Sequence, residues 1–197
     1  MPRPSRATER RRELLPLVAE AFGELGYRRA TTAEIASRCG VQENTLYRLW
    51  TDKQAMFIAS IDYLFVRRME KWQSHLAAAE TSRSERAKRL IEMTSEDLGE
   101  QGLYRIIFTA LSETDDLEIK CALQRLYKNY HERVQSEVSM YHARKDAAES
   151  SEDAATAWAL LSLVSFMNIV VDLELIGDRE RRELFTTISN RLLGGLP

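Results

Sequence analysis

An all-α fold is predicted, on three observations. Prolines stand only at positions 2, 4, 16 and 197, so no ring interrupts a helix between residues 17 and 196. The chain is rich in Ala, Leu, Glu and Arg, which lose little on entering a helix, and strand-type alternation is scarce. Apolar residues recur instead at i, i+3 and i+4, segment after segment. The pattern predicts about nine helices, divided into a basic arm over residues 1–8, a three-helix unit over 9–63 and a larger helical unit over 64–197.

The first helix follows the arm and runs to about Leu25, with Leu14, Val18, Ala21, Phe22 and Leu25 on one face. Pro16 falls inside it and predicts a kink or a late start, extending the arm as far as Leu15. Gly26 ends the helix, and Tyr27 is expected to pack beneath the unit.

Residues Thr31 to Lys53 read as two short helices around a tight break. Thr31 and Glu34 form a T-x-x-E capping box, so the first of them starts at Thr31 or Thr32. Ile35, Ala36 and Cys39 share its inner face, and Gly40 stops it with a left-handed backbone. Val41 resumes the apolar stripe, which Leu46, Leu49 and Trp50 continue through the second. Small Ala36 lets the two approach, and Leu46 fills the angle between them. This is a helix-turn-helix pattern, whose second helix fits a DNA major groove about 12 Å wide. Thr51 and Gln54 repeat the cap signal for the next helix.

A long helix is expected over 53–79, followed by helices at 84–99, 103–113, 117–145, 152–176 and 179–193. The breaks lie at 81–84, Gly99 and Gly102, 112–116, the polar stretch 146–151, and Gly177 with Asp178 as a cap. The stretch Ala154 to Val171 is uncharged and touches the lower limit of a membrane span, about 17–25 residues. Thr156, Ser162, Ser165 and Asn168 interrupt it, so a buried soluble helix, and no membrane partner, is the expectation. That helix is apolar on too many sides for one body to cover. Ala155, Ala159, Ser162 and Phe166, with Phe185, Ile188 and Leu192 of the last helix, are therefore predicted to form a four-helix homodimer interface.

Charge supports a single DNA-facing end. The chain has a net charge of −2, yet residues 1–60 carry ten cations against seven acids. Cys39 and Cys121 are far apart and both are expected on apolar helix faces, which predicts no disulfide framework and a cytoplasmic setting. The arginine-rich start has no apolar stretch and does not read as a signal peptide.

On the second short helix, Gln42, Glu43, Asn44, Thr45, Tyr47 and Arg48 point away from the apolar stripe. Arg48 suits a guanine edge and Asn44 an adenine; Thr45 and Tyr47 suit a phosphate or a thymine methyl. Glu43 takes a cytosine amino group or faces solvent. Thr32 and Lys53 are expected on phosphates either side of the groove, setting register. Lys53 stands in a first helical turn, where a cation opposes the macrodipole by about 0.3–1 kcal/mol unless an anion joins it.

From about Arg11 to Leu64 the sequence resembles the amino-terminal DNA-binding region of the TetR family of transcriptional regulators. The resemblance is carried by Gly26 and Tyr27, Thr31 and Thr32, Ile35 and Ala36, Gly40 and Val41, Thr45 to Tyr47, and Lys53. It implies a homodimeric repressor released from a palindromic operator by a small apolar or amphipathic effector held in the larger unit. Residues suited to line that site are Met69, Trp72, Met93, Tyr104, Phe108, Tyr127, Tyr130 and Phe166. A regulator with no small-molecule effector, acting through a protein partner or architecturally, is the alternative. Catalysis is not expected: no phosphate-binding loop, G-x-S-x-G or H-E-x-x-H occurs, and no cofactor is implied. His131 and His142 lie three helical turns apart and read as surface or capping residues rather than metal ligands.

Overall fold

A computed structural model describes residues 6–76, 82–99, 103–142 and 151–194. Among these the regular structure is helical throughout: α1 (Arg6–Arg29), α2 (Thr32–Arg38), α3 (Glu43–Leu49), α4 (Lys53–Leu76), α5 (Arg83–Asp97), α6 (Leu103–Ser112), α7 (Leu117–Tyr141), α8 (Ser151–Asp172) and α9 (Asp178–Leu192). The chain forms two compact units, one of Met1–Arg67 with Gln101–Leu126, the other of Arg68–Glu100 with Tyr127–Pro197.

In the first unit, α1 starts earlier than the arginine-rich composition suggested. Arg6 to Thr8 are already helical, and only residues 1–5 of the expected arm lie outside the described residues. Pro16 does not delay the helix. The carbonyl it leaves without a donor belongs to exposed Arg12, within reach of water. Gly26 does break the run, at φ 73° and ψ 165°, leaving Tyr27 to Arg29 as a separate turn.

The inner faces of α1 to α4 meet in a core of Val18, Ala21, Phe22, Ile35, Leu46, Met56, Phe57 and Ile61, all fully buried. Phe22 and Phe57 pack edge to face at 5.0 Å, and Tyr27 joins them 4.8 Å from Phe57. Burial and the carboxylates of Asp116, Asp52 and Glu113 push the Tyr27 phenol up. α6 lies along α1 and adds Ile106 and Ala110.

Polar ties fix this segment where sequence periodicity gave no hint. Arg28 Nε donates to Glu113 at 2.9 Å, Gln54 Nε2 to Asp116 Oδ2 at 2.6 Å, and Arg125 forks onto Asp62 at 2.8 and 3.0 Å. The Gln54 bond replaces the second predicted capping box. Asp52 caps α4 instead, accepting from the Ala55 amide at 2.7 Å, and a carboxylate complements the helix dipole as the Thr51 hydroxyl does not. Cys121 is exposed rather than on an apolar face; Cys39 is buried as expected, and burial pushes its thiol up.

In the second unit, α5, α7, α8 and α9 surround Ile91, Leu98, Val138, Met167, Phe185 and Leu193. Phe185 is 2% exposed. It is a core residue of one chain and not the interface residue that periodicity suggested, because α9 turns that face toward α5 and α8. A second cluster joins Trp72, Leu90 and Met93 with Met69, Leu76 and Val134. Between α4 and α5, buried Asp97 holds both Arg68, at 2.5 Å, and Lys71.

His142 ties three segments. Its Nδ1 lies 2.8 Å from Oδ1 of fully buried Asp153, its Nε2 lies 3.1 Å from the Leu193 carbonyl, and Ser139 donates to the same carboxylate at 2.7 Å. Asp153, in the first turn of α8, is thus a buried anchor.

α8 ends at Asp172, four residues before the expected stop, in a turn where Glu174 adopts φ 53°. Gly177, not Asp178, is the N-cap of α9, and Asp178 in the first turn pairs with Arg181 at 3.4 Å.

Candidate nucleic-acid interface

The interface is set by the turn between α2 and α3. Cys39 closes α2, Gly40 sits at φ 63°, the Gly40 amide donates to the Ser37 carbonyl at 3.1 Å, and the Val41 amide to the Ala36 carbonyl at 3.0 Å. These two bonds make a Schellman motif, which calls for a left-handed residue at Gly40. Beneath the turn, Ile35 and Leu46 are fully buried and Ala36 is 3% exposed, so the angle between α2 and α3 is held by packing.

The opposite side of α3 is polar and accessible. Gln42, Glu43, Asn44, Tyr47 and Arg48 are exposed, and Thr45 is half-buried. Among the described residues no hydrogen bond or ion pair engages the side chains of Gln42, Glu43, Asn44 or Arg48. Four donors or acceptors left to water on one short helix are a cheap reserve for base edges.

The flanking candidates are more constrained. The Tyr47 hydroxyl and Thr32 Oγ1 lie 3.0 Å apart, joining α3 to the start of α2. Thr31 Oγ1 accepts from the Glu34 amide at 3.2 Å, half of the expected capping box; the Glu34 carboxylate takes Arg38 Nε at 3.1 Å. Lys53 Nζ donates to the Tyr27 carbonyl at 3.0 Å and lies 4.5 Å from the centre of its ring. The protein therefore compensates this first-turn cation partly by itself, and the remaining ammonium donors are free for a phosphate.

The eight candidate effector residues divide between the units. Tyr104 and Phe108 belong to the first, edge to face at 5.8 Å. Met69, Trp72 and Met93 pack together in the second, where burial pushes the Tyr130 phenol up to about 12 despite the opposing charge of Arg68. Tyr127 is half-buried in the same unit. Phe166 is 60% exposed.

Along α8 the exposed stripe runs Ala155, Trp158, Ser162, Phe166, with Ala159 half-buried beside it. Ile188 and Leu192 of α9 are half-buried as well. Trp158 was not among the expected contacts, yet it is 48% exposed and stacks on His131 at 4.4 Å. Its i+4 and i+8 relation to Ser162 and Phe166 was the overlooked signal. By length and composition alone α8 could cross a membrane, a test that the core helix of a soluble protein also passes.

Residues 18–60 match the family model described as "Bacterial regulatory proteins, tetR family". The chain is 40% identical over 77 residues to the nucleoid occlusion factor SlmA of Pasteurella multocida, covering 36% of this chain and 39% of that protein. It thus spans well under half the length of that curated relative. A TetR-family regulator of Cytophaga hutchinsonii shares the fold with a TM-score of 0.77 at 13% identity, over 99% of this chain and 98% of that one. The regulator FadR of Bacillus subtilis, solved with stearoyl-CoA, gives a TM-score of 0.69 at 16% identity over 93% and 95%.

Proposed function

We infer that this chain, whose amino-terminal segment is that of the bacterial tetR-family regulators and whose fold is TetR-like, is a DNA-binding transcriptional regulator of that family, and we propose that it acts as a homodimeric repressor. A small apolar or amphipathic effector releases it from a palindromic operator. The observation that carries DNA binding is the unpaired polar face of α3 on a Schellman-fixed helix pair. Arg48 and Asn44 read bases. Thr31, Thr32, Tyr47 and Lys53 meet phosphates, and Gln42, Glu43 and Thr45 complete the face. Regulators of this family are not enzymes, and a DNA-binding repressor of this kind works in the cytoplasm.

One α3 alone grips few bases, so useful affinity needs two. The apolar stripe of α8 supplies the pairing surface, with Trp158 and Phe166 at its centre. Two reading heads about 34–36 Å apart, or wider on a distorted site, demand an operator of two inverted half-sites.

The effector reading is supported by the fold shared with FadR of Bacillus subtilis, whose solved complex holds stearoyl-CoA. α4 contributes to both units, so a ligand that favours one position of α4 biases the spacing of the reading heads. Only differential affinity for the two states can do this. The second reading, a regulator without a small effector, is favoured by the identity to a nucleoid occlusion factor. Release of bound operator by an added amphiphile separates the two.

Selection of bound duplex from a random pool tests the proposal, and a palindrome is the expected product. On the selected site Arg48→Ala relaxes base preference, whereas Lys53→Ala weakens binding to all sequences alike. Wild-type behaviour in both variants refutes the assigned face.

A further inference from the structure

We propose that Arg11 is a phosphate-binding residue, its guanidinium laid on the Trp50 indole so that the DNA face extends from the end of α3 onto the first turns of α1. The proposal rests on the DNA-binding reading above and adds a residue to that site.

Arg11 Cζ lies 5.3 Å from the centre of the Trp50 ring. Trp50 is the C-cap of α3 and only 2% exposed, so the platform is fixed by the core beneath it. Arg11 itself is exposed, and among the described residues no carboxylate pairs with it. Its acidic neighbour Glu13 is taken by Arg10 at 2.9 Å. A guanidinium held over an aromatic face keeps N–H donors at its rim free, and these match phosphate oxygens in a fork. Stacking also removes part of the side chain's freedom before DNA arrives, so less is lost on binding.

Two further observations fit. Trp50 Nε1 is buried without a hydrogen-bond partner, a cost that a phenyl ring at this position would not incur. What indole supplies in return is the strongest aromatic face for a cation. Around Arg11, the first turns of α1 hold Arg6, Arg10 and Arg12 against Glu9 and Glu13, at the positive end of the helix that runs to the break at Gly26. A surface that repels itself in this way is complementary to a polyanion. The structural competitor, in which Arg11 does no more than cover Trp50, predicts a different response to salt.

The test is fluorescence anisotropy of the full chain on its selected operator from about 50 to about 200 mM salt, for wild type, Arg11→Met and Arg11→Lys, with unfolding midpoints. Met keeps an apolar stem over the indole and removes the charge; Lys keeps the charge. Arg11→Met is expected to flatten the slope of log affinity against log salt by about 0.9 per protomer. For a dimer, the affinity deficit is then about 12-fold larger at the low-salt end than at the high-salt end. Arg11→Lys retains the slope, and both variants keep the midpoint and the base preference. A wild-type slope in Arg11→Met, with or without lower stability, makes Arg11 only a cover and overturns the proposal. Wild type that retains no duplex overturns the DNA-binding reading instead, so the two failures are told apart.

Discussion

Alanine at Gly40 and at Gly99 should cost very different amounts, although both glycines have positive φ. Gly40 sits at φ 63°, and a Cβ built there meets nothing within 4 Å. Its cost is therefore purely one of backbone conformation, roughly 1–2 kcal/mol for a left-handed residue. The stiffer unfolded chain returns about 0.4–1 kcal/mol, leaving a net loss near 1 kcal/mol. Gly99 sits at φ 85° with its amide donating to Asn168 Oδ1 at 3.1 Å, and a Cβ there would lie 2.6 Å from Val171 Cγ1 and 3.2 Å from Arg181 Nη1. Valine in a helix has one strongly preferred rotamer, so its methyl cannot swing aside. Overpacking then adds about 1–3 kcal/mol, for a total near 3 kcal/mol. Urea unfolding of both variants at equal protein concentration measures the difference, with an unchanged m-value as the check that the unfolded state is the same. Gly40→Ala should also weaken operator binding, because the Schellman turn aims α3. A Gly99→Ala variant as stable as Gly40→Ala would refute the steric argument and the packing of α5 against α8 and α9 that it rests on.

Three other outcomes follow from named contacts. Trp158→Glu and Phe166→Glu each put a carboxylate into the proposed α8 seam, where burying it unpaired costs several kcal/mol; sedimentation should show dimerisation weakened by at least about 100-fold with the helical signal intact. Tyr130 is raised to about 12 from an ordinary 10.0. The folded state thus holds its proton more tightly than the unfolded one, and the tyrosine's stabilising share, present below pH 10, is lost as pH climbs toward 12. Tyr130→Phe should flatten the decline of stability measured between pH 10 and 12, by about 1–3 kcal/mol over that interval. Thiol titration should find Cys121 reactive in the native chain and buried Cys39 reactive only after unfolding.

Most of the reading head was legible in the sequence because its determinants are local. A turn glycine, a capping threonine and apolar residues at helical spacing act over four to seven positions, and a contiguous pattern records them. Ile35, Gly40 and Leu46 accordingly take the predicted places. Errors began where a neighbour distant in sequence decided the outcome. Gln54 left its expected cap for Asp116, which lies 62 positions away. Phe185 and Trp158 both occupy periodic apolar positions, and periodicity could not say which of the two faces the chain's own core.

By itself, then, the sequence determined the helical class, the helix-turn-helix and the polar surface of α3, since each follows from the chain's short-range geometry. Tertiary structure alone decided that Asp153 and Asp97 are buried anchors, that α6 joins the reading head, and that Arg11 rests on Trp50. The reason is that burial and pairing depend on which surfaces meet. A helix specifies its own faces, but the partner that covers each face is chosen only when the helices pack.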